Sequence, residues 1–179
     1  MTLEGRIAIV TGAGQGIGHA TALAFARAGA DVAVVDIDKA AAEKTAAAVS
    51  AAGRRGLAVA SDVGDVAAID QMVARVVQAF GRIDVLVNNA GVTRRADIME
   101  LTEADWDRIM RVNGKGAFFC LQRVAREMIP RRSGVIVNIA SIAGKGYAGT
   151  SNAIYASSKG ASSASRASPP SSSPGTTST

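Results

Sequence analysis

The chain has little of what several protein classes need. Its 179 residues include one cysteine, Cys120, which has no partner, so a disulfide framework and a cysteine metal site are excluded and a small buried thiol is expected. Aromatic residues make up only 4% of the chain, too few to build a stacking surface for bases. The net charge of +5 comes from basic residues scattered among acids, and the densest pairs, Arg94-Arg95 and Arg131-Arg132, fall in predicted loops; nucleic acid is not an expected partner. No apolar run reaches the roughly 18 residues of a membrane span. The first residues, Met1 to Arg6, carry an acid where a secretion signal has a basic region and then an apolar stretch. These absences predict a cytoplasmic protein with neither membrane nor nucleic acid as partner.

With 48% hydrophobic residues, the chain can bury one good-sized core, so one domain is expected. Arg6 to Val10, Asp31 to Val35, Leu57 to Ala60, Val85 to Val87 and Val135 to Ile139 are short, rich in Val and Ile, and bounded by Gly, Asp or Asn; they read as buried strands. Helical spacing covers Ile17 to Ala28, Lys39 to Ala52, Val66 to Phe80 and Glu103 to Ile129, the last with an interruption near Gly114-Lys115-Gly116. Alternating strands and helices, with strands apolar on both faces, predict an α/β fold: a doubly wound, Rossmann-like parallel sheet. This domain spans residues 1–160. Residues 161–179 are mostly Ser, Thr and Ala, hold three of the four prolines and contain no large apolar residue, so they are predicted to form a disordered tail.

The first strand runs into Thr11-Gly12-Ala13-Gly14-Gln15-Gly16-Ile17-Gly18 and then directly into a helix. Glycines let backbone N–H groups approach a pyrophosphate, and the helix N-terminus adds its positive dipole end. Gly12, Gly16 and Gly18 fit GxxxGxG, whereas the common dinucleotide fingerprint needs glycine where Ile17 stands. Asp36 ends the second strand, near the distance at which an acid accepts hydrogen bonds from the adenosine ribose. A carboxylate there repels a 2′-phosphate, so NAD is favoured, with NADP the alternative. Asp38 is a weaker claimant because it can cap the next helix. Asp62-Val63 and Asn88-Asn89-Ala90-Gly91 follow the third and fourth strands, at the carboxyl edge where open α/β sheets bind ligands. The fifth strand leads to Ser141 at the same edge. Tyr155 and Lys159 stand four apart in a predicted helix, which sets phenol and ammonium on one face and favours the tyrosinate.

Together, TGAGQGIG, NNAG, the Asn113-Gly-Lys-Gly segment, the serine of NIASIAG, and YASSK resemble the short-chain dehydrogenase/reductases, especially the branch of β-ketoacyl-carrier-protein reductases and related alcohol dehydrogenases. The resemblance covers residues 3–160. It implies an oxidoreductase that moves a hydride between NAD(P)(H) and an alcohol or ketone, with a 3-oxoacyl group among the possible substrates and no metal. It also implies a tetrad of Asn113, Ser141, Tyr155 and Lys159. Tyr155 would transfer the hydroxyl proton, Ser141 would orient the carbonyl, Lys159 would hold the nicotinamide ribose, and Asn113 would support a water relay. Gly12, Gly16, Ile17 and Gly18 would take the pyrophosphate, Asp36 the ribose, Asp62 and Val63 the adenine, and Asn89, Ala90 and Gly91 the cofactor floor.

The tail departs from the family, whose members continue with an apolar helix and further strands. Under GC-rich codon choice, the tail read one nucleotide out of phase spells a helix-forming, apolar-striped segment, which points to a base lost after Gly160; the gene's nucleotide sequence decides it. The expectation is a C-terminally truncated chain with an exposed fifth strand, a poorly supported Tyr-Lys helix, and impairment of the dimer or tetramer the family forms. The competing reading is a catalytically silent fragment that at most binds nucleotide or a partner subunit. A sugar-nucleotide epimerase fits poorly because the glycine spacing differs and no substrate domain follows. Arg94, Arg95 and Tyr147 offer no code for one ketone over another.

Overall fold

A computed structural model of the chain describes residues 2–146 and 152–165. Five parallel strands, β1 (Ile7–Thr11), β2 (Asp31–Asp36), β3 (Gly56–Ala60), β4 (Val85–Asn88) and β5 (Val135–Asn138), form one sheet in the order β3-β2-β1-β4-β5. Between them run α1 (Gly16–Arg27), α2 (Lys39–Ala51), α3 (Val66–Phe80), α4 (Glu103–Met110) and α5 (Ala117–Met128), and α6 (Ala153–Ala164) follows β5. The predicted doubly wound sheet is the observed one, and each predicted strand lies within a residue of its observed bounds.

Alternation along the strands divides the core. Ile7 and Ile9 of β1 face the α3 and α5 side, packing with Ile69, Met72, Val76, Cys120 and Val124. Ala8 and Val10 face the α1 and α2 side, where Ala22, Ala26, Ala42 and Ala46 bring the helices close to the sheet. Both faces of the inner strands are therefore buried, as a parallel sheet covered by helices requires. Short side chains start the helices: Asp38 accepts from Ala41 N, Asp65 from Ala67 N, and Thr102 from Asp105 N. Asp38 thus takes the capping role that competed with ribose binding.

The chain order reverses between β1 and β4, so their carboxyl ends flank the crevice where such sheets bind ligands. The helical stretch predicted over Glu103 to Ile129, with its interruption near Gly114-Lys115-Gly116, is α4 and α5 joined by a π-helical turn, Arg111–Gly116. The predicted interruption marks that turn, which places Asn113 at the crevice. On the far side of β4, β5 is an edge strand whose Val135 and Val137 are exposed.

The boundary drawn at residue 160 falls short. Helix α6 continues to Ala164, and Ser162 is buried. Hydrogen bonds rather than apolar burial hold this stretch: Ser162 Oγ donates to Asn113 O at 3.0 Å, and Asn138 Nδ2 donates to Ser165 O at 2.8 Å. A composition-based reading cannot register such bonds. The rest of the predicted tail, 166–179, and Tyr147 lie outside the described residues. Among the described residues, no helix is long and apolar enough to cross a membrane, and no metal-binding group of His, Cys, Asp and Glu is found.

Candidate active site

The glycine turn is braced from β4. Thr11 Oγ1 accepts from Asn89 N and Ala90 N at 3.1 Å each, and Asn89 Nδ2 donates to Thr11 O at 2.9 Å and Gly12 O at 3.0 Å. The close approach leaves no room for side chains. A Cβ on Gly12 (φ +62°) would meet Ala90 Cα at 2.8 Å, and one on Gly18 would lie 2.2 Å from Gly12 O. Helix α1 then starts without a side-chain cap and without an acid in its first turn, so its leading N–H groups face the crevice free for an anion. Thr11 was missed by the sequence reading; a hydroxyl at a strand end immediately before the first glycine is the signal that marks it.

Asp36 stands across this turn. Its Oδ2 accepts from Gly14 N at 2.8 Å and its Oδ1 from Asp38 N at 3.0 Å, which fixes the carboxylate at the end of β2. Asp62, after β3, accepts from Gly64 N and from Arg111 Nη1, both at 2.8 Å. Burial alone would raise the Asp62 pKa, but the Arg111 guanidinium and the Gly64 amide outweigh it and hold the carboxyl below its ordinary value. Arg111, which was not among the expected residues, therefore orients Asp62. Gly12, Ile17, Asp36, Asp62, Val63, Asn89, Ala90 and Gly91 line one cleft of about 550 Å³, together with Gln15, Ile37, Arg108 and Arg111. Gly16 and Gly18 lie at its α1 end. The cleft thus joins the expected cofactor positions from four strand ends.

Asn113 and Lys159 lie beside Gly91 of this cleft, with Tyr155 next to Lys159. Asn113 in the π turn is 1% exposed; its Oδ1 accepts from Val92 N at 2.8 Å, and its Nδ2 donates to Val92 O at 2.9 Å and Ser158 Oγ at 3.0 Å. Its main-chain oxygen accepts the Ser162 hydroxyl at 3.0 Å. Ser141 follows β5 and caps the 3-10 turn Ile142–Lys145, accepting from Ala143 N at 3.2 Å. That turn packs on α6. Tyr155 is half-buried in the first turn of α6, where Asn152 Oδ1 accepts its backbone N–H at 2.8 Å. Lys159 Nζ donates to Ile139 O at 2.6 Å and lies 5.7 Å from the Tyr155 ring centroid. Only 5% of Lys159 is exposed, and burial depresses its ammonium pKa. Gly91 lies beside both groups: a Cβ there would make ordinary contact with Lys159 Nζ at 3.6 Å and Asn113 Oδ1 at 3.4 Å.

A larger groove of about 1210 Å³ lies away from these side chains, along the outer edge of β5 between α5 and α6. The smaller cleft joins the glycine turn to the carboxyl ends of the strands.

This arrangement has a family. The chain belongs to the short chain dehydrogenase family, which it matches over residues 6–166. It is 49% identical over 152 residues to a (2S)-[(R)-hydroxy(phenyl)methyl]succinyl-CoA dehydrogenase subunit of Thauera aromatica, a match covering 83% of this chain and 60% of that one. It is 43% identical over 160 residues to a 3-oxoacyl-[acyl-carrier-protein] reductase of Thermotoga maritima, with 89% of this chain and 64% of the relative covered. The crystal structure of an NAD+-bound xylitol dehydrogenase superposes with a TM-score of 0.85 at 39% identity, covering 90% of this chain and 62% of that one. The chain spans about 60% of the length of the curated relatives it matches.

Proposed function

We propose that the chain binds NAD in preference to NADP and serves an alcohol–ketone oxidoreduction through Tyr155, Lys159, Ser141 and Asn113. The observation that carries this reading is Lys159: a buried ammonium beside the Tyr155 ring, at the strand edge that also holds the glycine turn. Burial of a cation is costly unless it is paired or put to use. The cleft fits a dinucleotide on its own evidence, since Gly12 and Gly18 form a cradle that any Cβ would fill and α1 offers unpaired N–H groups. Gly12, Gly16, Ile17 and Gly18 would hold the pyrophosphate. Asp36 would accept from the adenosine ribose and repel a 2′-phosphate, while Asp62, Val63, Asn89, Ala90 and Gly91 would line the remaining length. When bound, the nicotinamide supplies or accepts the hydride. The chain's residues handle the proton: Tyr155 Oη gives it to, or takes it from, the substrate oxygen, Ser141 Oγ orients that oxygen, and Lys159 favours the phenolate.

The test is NADH consumption with a panel of ketones and 3-oxoacyl thioesters, and NAD+ reduction with the matching alcohols. Turnover is expected with NAD(H) above NADP(H), and Tyr155→Phe should lower kcat by about 10²–10⁴-fold while NAD+ binding persists. A turnover unaffected by Tyr155→Phe overturns the assignment. A second reading, a nucleotide-binding but catalytically silent chain, is favoured by the open groove beside β5. Thermal stabilisation by NAD+ without turnover on any substrate supports it, and measurable turnover ends it. The family-type dimer or tetramer belongs to the first reading.

A further inference from the structure

We propose that Ser158 is a positioning residue, joining Asn113 to the Tyr155 backbone and so setting the first turn of α6 that carries Tyr155 and Lys159. The proposal rests on the reading of Tyr155 and Lys159 given above. Ser158 is fully buried and has both halves of its hydroxyl engaged. Its Oγ accepts from Asn113 Nδ2 at 3.0 Å and donates to Tyr155 O at 2.8 Å. Asn113 is itself held at both ends of its amide by Val92 N and Val92 O. One directed chain of hydrogen bonds therefore runs from the loop after β4, through the π turn, into α6. Tyr155 is gripped on both sides of its residue: Asn152 takes its N–H and Ser158 takes its carbonyl.

The neighbouring serines show that this is more than the ordinary habit of helical serines. Ser157 and Ser163 are exposed and only donate, each to the carbonyl four residues back, at 2.9 Å. Ser158 donates three residues back instead, and it also accepts from another element. Without its oxygen, one Asn113 N–H is left unpaired where only 1% of the residue meets solvent. A buried donor without a partner drives local rearrangement, and the bond lost is the one that joins the π turn to α6. Lys159 is the next residue along, so its grip on Ile139 O moves with that helix.

The experiment measures Lys159 directly and needs no turnover. The full chain is treated with acetic anhydride between pH 7 and 10, and the acetylation rate of each lysine is read by peptide mass spectrometry; exposed Lys39 serves as the free reference and Cys120 alkylation reports global opening. In the native chain, Lys159 reacts far more slowly than Lys39. Ser158→Ala should raise the Lys159 rate at pH 8 by roughly tenfold through the loss of two buried hydrogen bonds, with Cys120 still protected. Ser158→Cys, which keeps the shape but bonds weakly, should do the same without a cavity, and Ser158→Thr should restore slow labelling. If native turnover is measurable, kcat should fall with the Ala and Cys variants while KM for NAD+ holds. The proposal is overturned if Lys159 labelling is unchanged in both variants, or if Lys159 and Cys120 open together, which marks a purely structural role. Absence of turnover in the native chain instead counts against the enzymatic reading alone.

Discussion

Single atoms decide the turn between β1 and α1. The 2.2 Å separation between a notional Gly18 Cβ and Gly12 O allows no relaxation, because the obstacle is backbone. Gly18→Ala should therefore abolish stabilisation by NAD+ in a thermal melt, and a retained shift would show that the turn does not hold the pyrophosphate. Asp36 carries the choice between cofactors, but its two oxygens also hold Gly14 N and Asp38 N. Asp36→Asn should narrow the preference for NAD over NADP by about tenfold, measured as the ratio of the two dissociation constants, since removing one charge relieves the repulsion of a 2′-phosphate, although the amide oxygen keeps only one of the two backbone hydrogen bonds. Cys120 gives a contrasting case. It is 1% exposed, and burial pushes its thiol pKa up to about 12, so the thiolate is scarce at neutral pH. Native protein should resist a thiol-exchange reagent that reacts at once after denaturation; fast native reaction would contradict the packing of α5 on the sheet.

At the scale of elements, β4 is the keel of the molecule, and Asp84 immediately before it ties it down. Its Oδ2 accepts from Ile7 N and Arg82 Nε, both at 2.9 Å, and its Oδ1 from Arg131 Nη1 at 3.1 Å, so one carboxylate joins β1, β4 and the end of α5. Burial alone would raise its pKa, yet the Ile7 amide and the Arg131 and Arg82 guanidinium groups outweigh it and hold the value below that of a free carboxyl. A carboxyl depressed on folding contributes stability at pH above its unfolded value near 4, and that contribution fades as pH falls through the folded value. Asp84→Asn should cost about 2–3 kcal/mol near neutral pH and flatten the acid limb of the stability curve below roughly pH 4, read by denaturant titration. An unchanged acid limb would show that Asp84 is not the group responsible. The opposite end of β4 carries Asn88, whose Nδ2 donates to Asn138 Oδ1 at 3.0 Å, so polar bonds as well as the strand ladder register β5.

At the scale of the whole molecule, the β5 edge of the sheet is exposed and apolar. Among the described residues, strand β5 pairs only with β4, Val135 and Val137 are 58% and 40% exposed, and the adjoining groove is lined by Leu121, Met128, Ile129 and Ile136. An apolar edge with unpaired backbone groups is a template for association between chains. Sedimentation of the native chain should show concentration-dependent self-association, and Val137→Lys on the outer edge should suppress it. Identical behaviour of the two chains would show that this edge stays single. The consequence for the proposed activity is direct, since α6 leans on β5 through Asn138 and Ser165, and anything that captures the edge bears on Tyr155 and Lys159.

How much was legible beforehand follows from how far apart the partners lie along the chain. The order of strands and helices, the glycine turn, Asp36 at the end of β2, and the Tyr155–Lys159 spacing are local patterns, and each was readable because period and spacing reflect backbone geometry directly. The bonds that make these parts a site join residues far apart in sequence. Asn89 and Thr11 are 78 positions apart, Arg111 and Asp62 are 49, and Asn113 and Ser158 are 45. No spacing rule reaches so far, because which hydroxyl meets which amide depends on how the crossovers stack the helices. The same reason explains Ser162, read from composition as part of an unstructured tail and found buried against the Asn113 carbonyl. Sequence alone determined the backbone plan and the chemical identity of the candidate groups. Tertiary structure decided which of those groups are held, by what, and which edge of the sheet is left open, because only packing brings distant donors and acceptors within hydrogen-bond reach and away from water.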